Sequence, residues 1–268
     1  MNQNEGIRKG IDGSYEFCKT MDLPTDIIYL KKDNSGVKIT NSLTYFYAYE
    51  FNPNLDNSEV KEFRTAIKHN LSDTDLFDGE VVFDFVEDGL FRFDSYKKLS
   101  DFKVVVMSET SQFSLLTILD SLLYQYTDGE ITSIKMIKNL CKDVIFDREK
   151  ARKALFNTDK YGSSEIKINK ALDSIEKLFR KFQNTTNVFK MKLYSPVVAR
   201  VGFTNIFRFK NKEQENLYKE LESGTEVLIC DDFITSGSTV KEIMNVLNSV
   251  NPNNRLTVFI LINQLKTY

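Results

Sequence analysis

The chain has 268 residues, of which 41% are apolar and 28% charged, with a formal net charge of -2. Both signs of charge are interspersed, so nothing points to a nucleic-acid partner held by bulk positive charge, although local geometry can still hold a small anion. The first residues, MNQNEGIRKGIDGSYEF, lack the apolar stretch of a signal peptide, and no window approaches the roughly 18 apolar residues of a membrane span, so a cytoplasmic location and no membrane partner are expected.

From the amino terminus, DIIYL reads as a strand, KKDNSG as a turn, and VKIT and LTYFYAYEF as further strands. EVKEFRTAIKHNL has Val60, Phe63, Ile67 and Leu71 at helical spacing, and His69 falls off that stripe, on what should be solvated helix surface. His69 is the sole histidine, so a serine or cysteine hydrolase would have to be built on it and a histidine-rich metal site is excluded. VVFDFVEDGLFRFD fits either a hairpin turning at Asp88-Gly89 or a helix closed by that glycine, and the hairpin is the preferred reading.

From residue 101 the texture changes. FKVVVM is a short β-branched run, SETSQ a polar turn, FSLLTILDSLLYQY an apolar helix closed at Asp128-Gly129, and ITSIKMI another strand. That order is one βαβ unit, the building block of a parallel sheet covered by helices. Next come two helical segments, DREKARKAL and INKALDSIEKLFRKF, separated by NTDKYGSSE, then an irregular or edge stretch through residue 211 and a short helix stopped by Gly224. Residues 142–200 thus form an insertion, of the kind that often serves as a lid or flap. Its expected tip is Tyr161 to Ser164. Cys18, Cys141 and Cys230 are odd in number and far apart, which speaks against a disulfide framework or a zinc ribbon.

The most informative stretch is VLICDDFITSGSTV, residues 227–240. Glu226 to Cys230 reads as a central parallel strand, and Val240, Ile243, Val246 and Leu247 recur at helix spacing. A strand-to-helix turn at the carboxyl edge of a parallel sheet is a ligand-binding position. Here it offers the hydroxyls of Thr235, Ser236, Ser238 and Thr239, a tight turn at Gly237, and the free N–H groups of a starting helix, which together suit a phosphate. Neither the Walker A pattern nor the GxGxxG fingerprint is present. Asp231 and Asp232 would repel a phosphate but suit ribose hydroxyls or a metal. Adjacent side chains in a strand face opposite ways, so both acids can reach one sugar only where the strand has ended. The turn therefore reads as a ribose 5-phosphate site.

VLICDDFITSGST resembles the thirteen-residue signature of type I phosphoribosyltransferases: four apolar residues, two acids, a short apolar stretch and T-x-G-x-T. The resemblance implies an α/β fold with a parallel sheet flanked by helices. It also implies that Asp231 and Asp232 hold the ribose hydroxyls of phosphoribosyl pyrophosphate (PRPP), acting as the catalytic acids. Thr235, Ser236, Gly237, Ser238 and Thr239 would wrap the 5-phosphate, and Mg2+ would bridge ribose and pyrophosphate, touching the acids only through the ligand. The family's pyrophosphate loop follows an earlier strand, which places it at Ser108, Glu109, Thr110 and Ser111, with Lys138 as a further basic residue. Glu109 departs from the small or basic residue common there. Arg200 and Asn205 resemble residues of ComF-type members, whose amino-terminal zinc cysteines are absent.

The resemblance covers residues 101–268 as a phosphoribosyltransferase-like core with the insertion at about 142–200. Residues 1–100 stand apart as a strand-rich region or a hood over an acceptor, and nothing in them names that acceptor. The implied activity is transfer of a phosphoribosyl group to a nitrogen nucleophile with release of pyrophosphate. A non-catalytic PRPP-binding regulator or partner-binding protein on the same fold is the alternative, because fold alone does not establish turnover. Self-association into a homodimer is an expectation with no residues attached to it.

Overall fold

The computed structural model describes residues 6–10, 15–18, 25–28, 43–52, 54–69, 79–109, 115–158, 160–162, 164–234 and 237–264. The expected KKDNSG turn and VKIT strand lie outside the described residues. So do Thr110, Ser111, Ser163, Thr235, Ser236 and the side chain of His69.

The strands are β1 (Gly6–Lys9), β2 (Tyr15–Cys18), β3 (Thr25–Ile28), β4 (Leu43–Glu50), β5 (Val104–Ser108), β6 (Thr132–Lys138), β7 (Ile145–Phe146), β8 (Phe203–Thr204), β9 (Phe207–Phe209), β10 (Glu226–Ile234) and β11 (Arg255–Asn263). The α-helices are α1 (Asn57–His69), α2 (Gly79–Tyr96), α3 (Leu115–Tyr126), α4 (Arg148–Phe156), α5 (Glu165–Gln183), α6 (Lys212–Lys219) and α7 (Ser238–Val250). Seven strands make one sheet in the order β3-β4-β11-β10-β5-β6-β9. Pairing is parallel from β4 to β6 and antiparallel at the edges, where β3 joins β4 and β9 joins β6. The molecule is thus α/β with a mostly parallel central sheet. β4, from the first hundred residues, is part of that sheet.

The inner strands are apolar on both faces, as a sheet covered on both sides requires. Leu228, Cys230, Met107 and Phe259 face one layer, where α2 and α3 pack through Val86, Leu90, Phe93, Leu119 and Leu123. Val227, Ile229, Val106 and Ile260 face the other, which holds α7 and the insertion. Each fully buried Leu, Ile or Phe contributes roughly 1.5–3 kcal/mol, so these layers supply the main stabilisation.

α2 corrects the hairpin expected at Asp88-Gly89. Val82, Phe85, Val86, Leu90 and Phe93 are all buried. Their spacing is helical, and a strand would have turned alternate ones outward. Gly89 does not close the helix but lies inside it, where α2 crosses β4 closely. Tyr49 of β4 fastens the crossing by stacking on Phe85 at 4.2 Å and donating its hydroxyl to Asp88 at 2.6 Å.

The insertion is packed rather than draped. Ile168, Leu172, Ile175 and Phe179 of α5 join Phe189, Tyr194 and Phe203 in the same buried layer as Ile229 and Ile260. Phe189 stacks on Tyr194 at 5.3 Å, and Tyr194 meets Phe203 at 4.5 Å. At the expected lid tip, Tyr161 packs against this layer and the Gly162 N–H donates to Thr158 at 2.7 Å. Among the described residues no helix is long and apolar enough to cross a membrane.

Candidate ligand site at the ends of the central strands

The connection from β5 through α3 leads to β6, and the connection from β10 through α7 leads to β11. The two connections leave the adjacent pair β5-β10 in opposite directions. They also run on opposite layers, α3 with one buried face and α7 with the other. Strand order therefore reverses between β5 and β10, and the crevice at their carboxyl ends is where an open parallel sheet accepts a ligand.

Cys230 is level with Met107, so Asp231 is one step further along β10 and Ser108 one step further along β5. Sequence candidates from two distant stretches are thereby adjacent. β10 does not end at Cys230 as expected but continues through Ile234, with Asp231 level with Ile260 and Phe233 level with Ile262 of β11. The extra pairing partner explains the difference: β11 runs long enough to hydrogen-bond beyond the acids. The expectation that the strand has ended at the acids is therefore not met: Asp231 and Asp232 lie within β10, where adjacent side chains face opposite ways. Asp231 is buried at 7% exposure and its Oδ1 accepts from the Asp232 N–H at 3.1 Å. Asp232 is half-buried and its Oδ1 accepts from the Phe233 N–H at 2.8 Å.

Gly237 caps α7 with φ 68° and ψ 1°, a left-handed conformation that side chains beyond glycine adopt at a cost. Its carbonyl accepts from the Lys241 N–H at 2.9 Å, which closes the first turn. Ser238 and Thr239 are the first two residues of that turn and are half-buried. Thus Gly237, Ser238 and Thr239 stand where a helix start presents N–H groups to an anion.

Ser108 ends β5 and is half-buried. Glu109 extends the β5–β6 pairing, its N–H donating to Met136 at 2.7 Å, and its carboxylate pairs with the Lys210 ammonium at 2.5 Å. Lys210 was missed in the sequence because it lies on the edge segment after β9, far away along the chain. Lys138 is the exposed last residue of β6, one strand further from β10 than Ser108. Arg200 donates through Nε to the Tyr194 carbonyl at 2.7 Å, and Asn205 donates to the Asp143 carbonyl at 2.7 Å. Both tie the insertion together. Cys230 is fully buried, burial pushes its thiol well above the usual range, and it serves as packing.

Among the described residues no group of three or more His, Cys, Asp or Glu side chains converges to hold a metal. Hard carboxylate oxygens here would suit Mg2+ only through a phosphate ligand that supplies the ion's other oxygens with water.

No family model matches the chain, and no curated protein matches it in sequence. Two crystal structures of a hypoxanthine phosphoribosyltransferase from Staphylococcus aureus, in tetragonal and orthorhombic crystals, are similar to it. Each is 14% identical over 73% of this chain and 70% of that one, with TM-scores of 0.32 and 0.31. Values that low leave the case to the chain's own sheet and residues.

Proposed function

We propose that the chain binds PRPP at the carboxyl ends of β5 and β10 and transfers its phosphoribosyl group to a nitrogen nucleophile. The observation that carries this reading is the placement of Asp231, Asp232 and the left-handed Gly237 at the reversal of strand order. Because adjacent acids within β10 face opposite ways, the half-buried Asp232 would accept from the ribose hydroxyls and the buried Asp231 would act through its charge, and Gly237 to Thr239 would surround the 5-phosphate. Ser108 and the following residues would meet the pyrophosphate. The N–C1 bond forms as the C1–O bond to pyrophosphate breaks; pyrophosphate leaves with the electron pair and the nitrogen's proton passes to solvent.

Such a reaction asks for positioning and electrostatics rather than a nucleophilic side chain. That agrees with a chain containing one histidine. The two acids would balance positive charge developing at C1. When bound, Mg2+ would neutralise the departing pyrophosphate.

The test is calorimetry with PRPP and Mg2+, followed by a pyrophosphate-release assay across a panel of nitrogenous bases. Binding with release supports transfer. Failure to bind PRPP overturns the reading.

One observation favours a second reading, a PRPP-binding regulator without turnover. Glu109 puts a carboxylate at the mouth of the loop proposed for pyrophosphate, where its charge opposes the ligand. Its pairing with Lys210 offsets part of that repulsion. Binding without release for any acceptor would favour this reading over transfer.

A further inference from the structure

α1 brings an arginine from the first hundred residues onto the strand that carries the two acids. β4 runs parallel to β11, and Glu50 at its carboxyl end is level with Asn263, so the chain leaves β4 at the edge of the sheet where Asp231 and Asp232 lie. A short turn leads into α1. There the Asp56 carboxylate accepts from the Ser58 and Glu59 N–H groups at 2.7 and 2.9 Å, and Glu59 accepts from the Asp56 N–H at 3.0 Å, a capping box that fixes the helix start. Phe63 then fastens the helix, its ring centroid 5.2 Å from Phe51, 5.0 Å from Tyr15 and 6.4 Å from Phe233, the residue after Asp232. Arg64 follows, and its guanidinium lies over the Phe233 ring at 5.5 Å.

The acids of α1 are engaged elsewhere. Glu62 pairs with Lys9 at 2.9 Å and accepts from the Tyr15 hydroxyl at 3.0 Å, while Glu59 closes the capping box. Among the described residues the Arg64 side chain makes no hydrogen bond or ion pair, although it is half-buried. Arg92 offers a contrast: it also lies over a ring, that of Tyr49 at 4.6 Å, but Asp88 neutralises it at 3.0 Å. A guanidinium stacked on a ring keeps its N–H edge open to an oxyanion and is already oriented to bind one. Partial burial of a cation away from any acid costs free energy, and an incoming oxyanion offsets that cost.

We propose that Arg64 is a ligand-binding residue that grips an oxyanion at the carboxyl end of β10, beside the ribose. The inference rests on the PRPP reading and deepens it. Two sources share the required chemistry, a carboxylate on the nitrogenous acceptor and a phosphate of the pyrophosphate group, since each presents the pair of oxygens that a guanidinium fork matches. α1 thereby belongs to the site, and the first hundred residues supply a specificity determinant.

The test is calorimetry of the full chain with Mg2+ and ribose 5-phosphate, pyrophosphate or PRPP, using the parent, Arg64→Gln and Arg64→Lys, with thermal melts of each. Pyrophosphate release is then compared between nitrogenous bases that carry a carboxylate and bases that lack one. Ribose 5-phosphate should bind all three proteins alike. A pyrophosphate Kd about tenfold to hundredfold weaker in Arg64→Gln assigns Arg64 to the pyrophosphate group. Unchanged pyrophosphate binding, with a similar loss of kcat/KM confined to the carboxylate-bearing bases, assigns it to the acceptor. In either case Arg64→Lys should recover only part, because it keeps the charge without the fork. Parent-like behaviour of Arg64→Gln throughout overturns the assignment and leaves the PRPP reading standing. Weakened ribose 5-phosphate binding with a lowered melting temperature assigns Arg64 to packing and also overturns it. A parent that binds neither PRPP nor ribose 5-phosphate overturns the PRPP reading and this inference together.

Discussion

Gly89 of α2 lies against Ala48 of β4 so closely that a β-carbon on the glycine would stand 2.9 Å from the alanine's own. A glycine in a helix interior ordinarily costs about 1 kcal/mol relative to alanine. Here the close approach outweighs that cost. Gly89→Ala should lower stability by about 1 kcal/mol despite its better helix propensity, because overpacking costs roughly 1–3 kcal/mol. Adding Ala48→Gly should recover part of the loss. Urea unfolding of the single and double variants checks it; additive losses would mean that the contact does not limit the crossing.

Gly237 has φ 68° and opens α7. Gly237→Val should abolish PRPP binding while leaving the far-ultraviolet dichroism unchanged, since a branched residue is strained at that φ and fills the space beside the helix start. Retained affinity in calorimetry would place the phosphate elsewhere.

Asp231 is buried and Asp232 half-buried, and each accepts a hydrogen bond from the next residue's N–H. An asparagine keeps one acceptor oxygen. Asp232→Asn should therefore weaken ribose 5-phosphate about tenfold to a hundredfold, the value of a charge-assisted bond, with little loss of stability. Asp231→Asn, whose side chain faces the other way, should weaken it less. Free pyrophosphate should bind both variants as well as the parent or better. Any extra loss in turnover would report charge stabilisation made in the transition state. Parent-like ribose 5-phosphate binding by both variants reassigns the acids to structure.

Tyr194 is buried in the aromatic layer of the insertion, and burial, with the Cys141 thiol second, pushes its phenol up from 10.0 to about 12. The folded state therefore holds the proton more tightly than the unfolded chain. The resulting stabilisation is fully present below about pH 10 and is lost as pH rises through about 12. Tyr194→Phe keeps the ring and removes the titration, so its urea midpoint should fall less steeply than the parent's between about pH 10 and 12. Identical slopes would show that Tyr194 does not carry alkaline unfolding.

The elements legible in the sequence were those whose apolar period is unambiguous. FKVVVM, FSLLTILDSLLYQY and ITSIKMI carry the pattern of a βαβ unit, and Val104–Ser108, Leu115–Tyr126 and Thr132–Lys138 form one. α2 was misread because Asp88-Gly89 carries strong local turn chemistry, and only the tertiary approach to Ala48 gives that glycine its use inside a helix. The end of β10 was misplaced because its last residues are held by β11, a strand supplied some 30 residues later.

By itself the sequence determined that Asp231, Asp232 and a glycine-centred run of hydroxyls lie between an apolar strand and an amphipathic helix, because strand and helix periods and turn residues act over a few neighbours. The tertiary structure decided what those residues face. Strand order brings Ser108 beside Asp231, and an ion pair over 101 positions joins Glu109 to Lys210. Such juxtapositions depend on long-range strand pairing and on the burial of two apolar faces, and no local pattern encodes either.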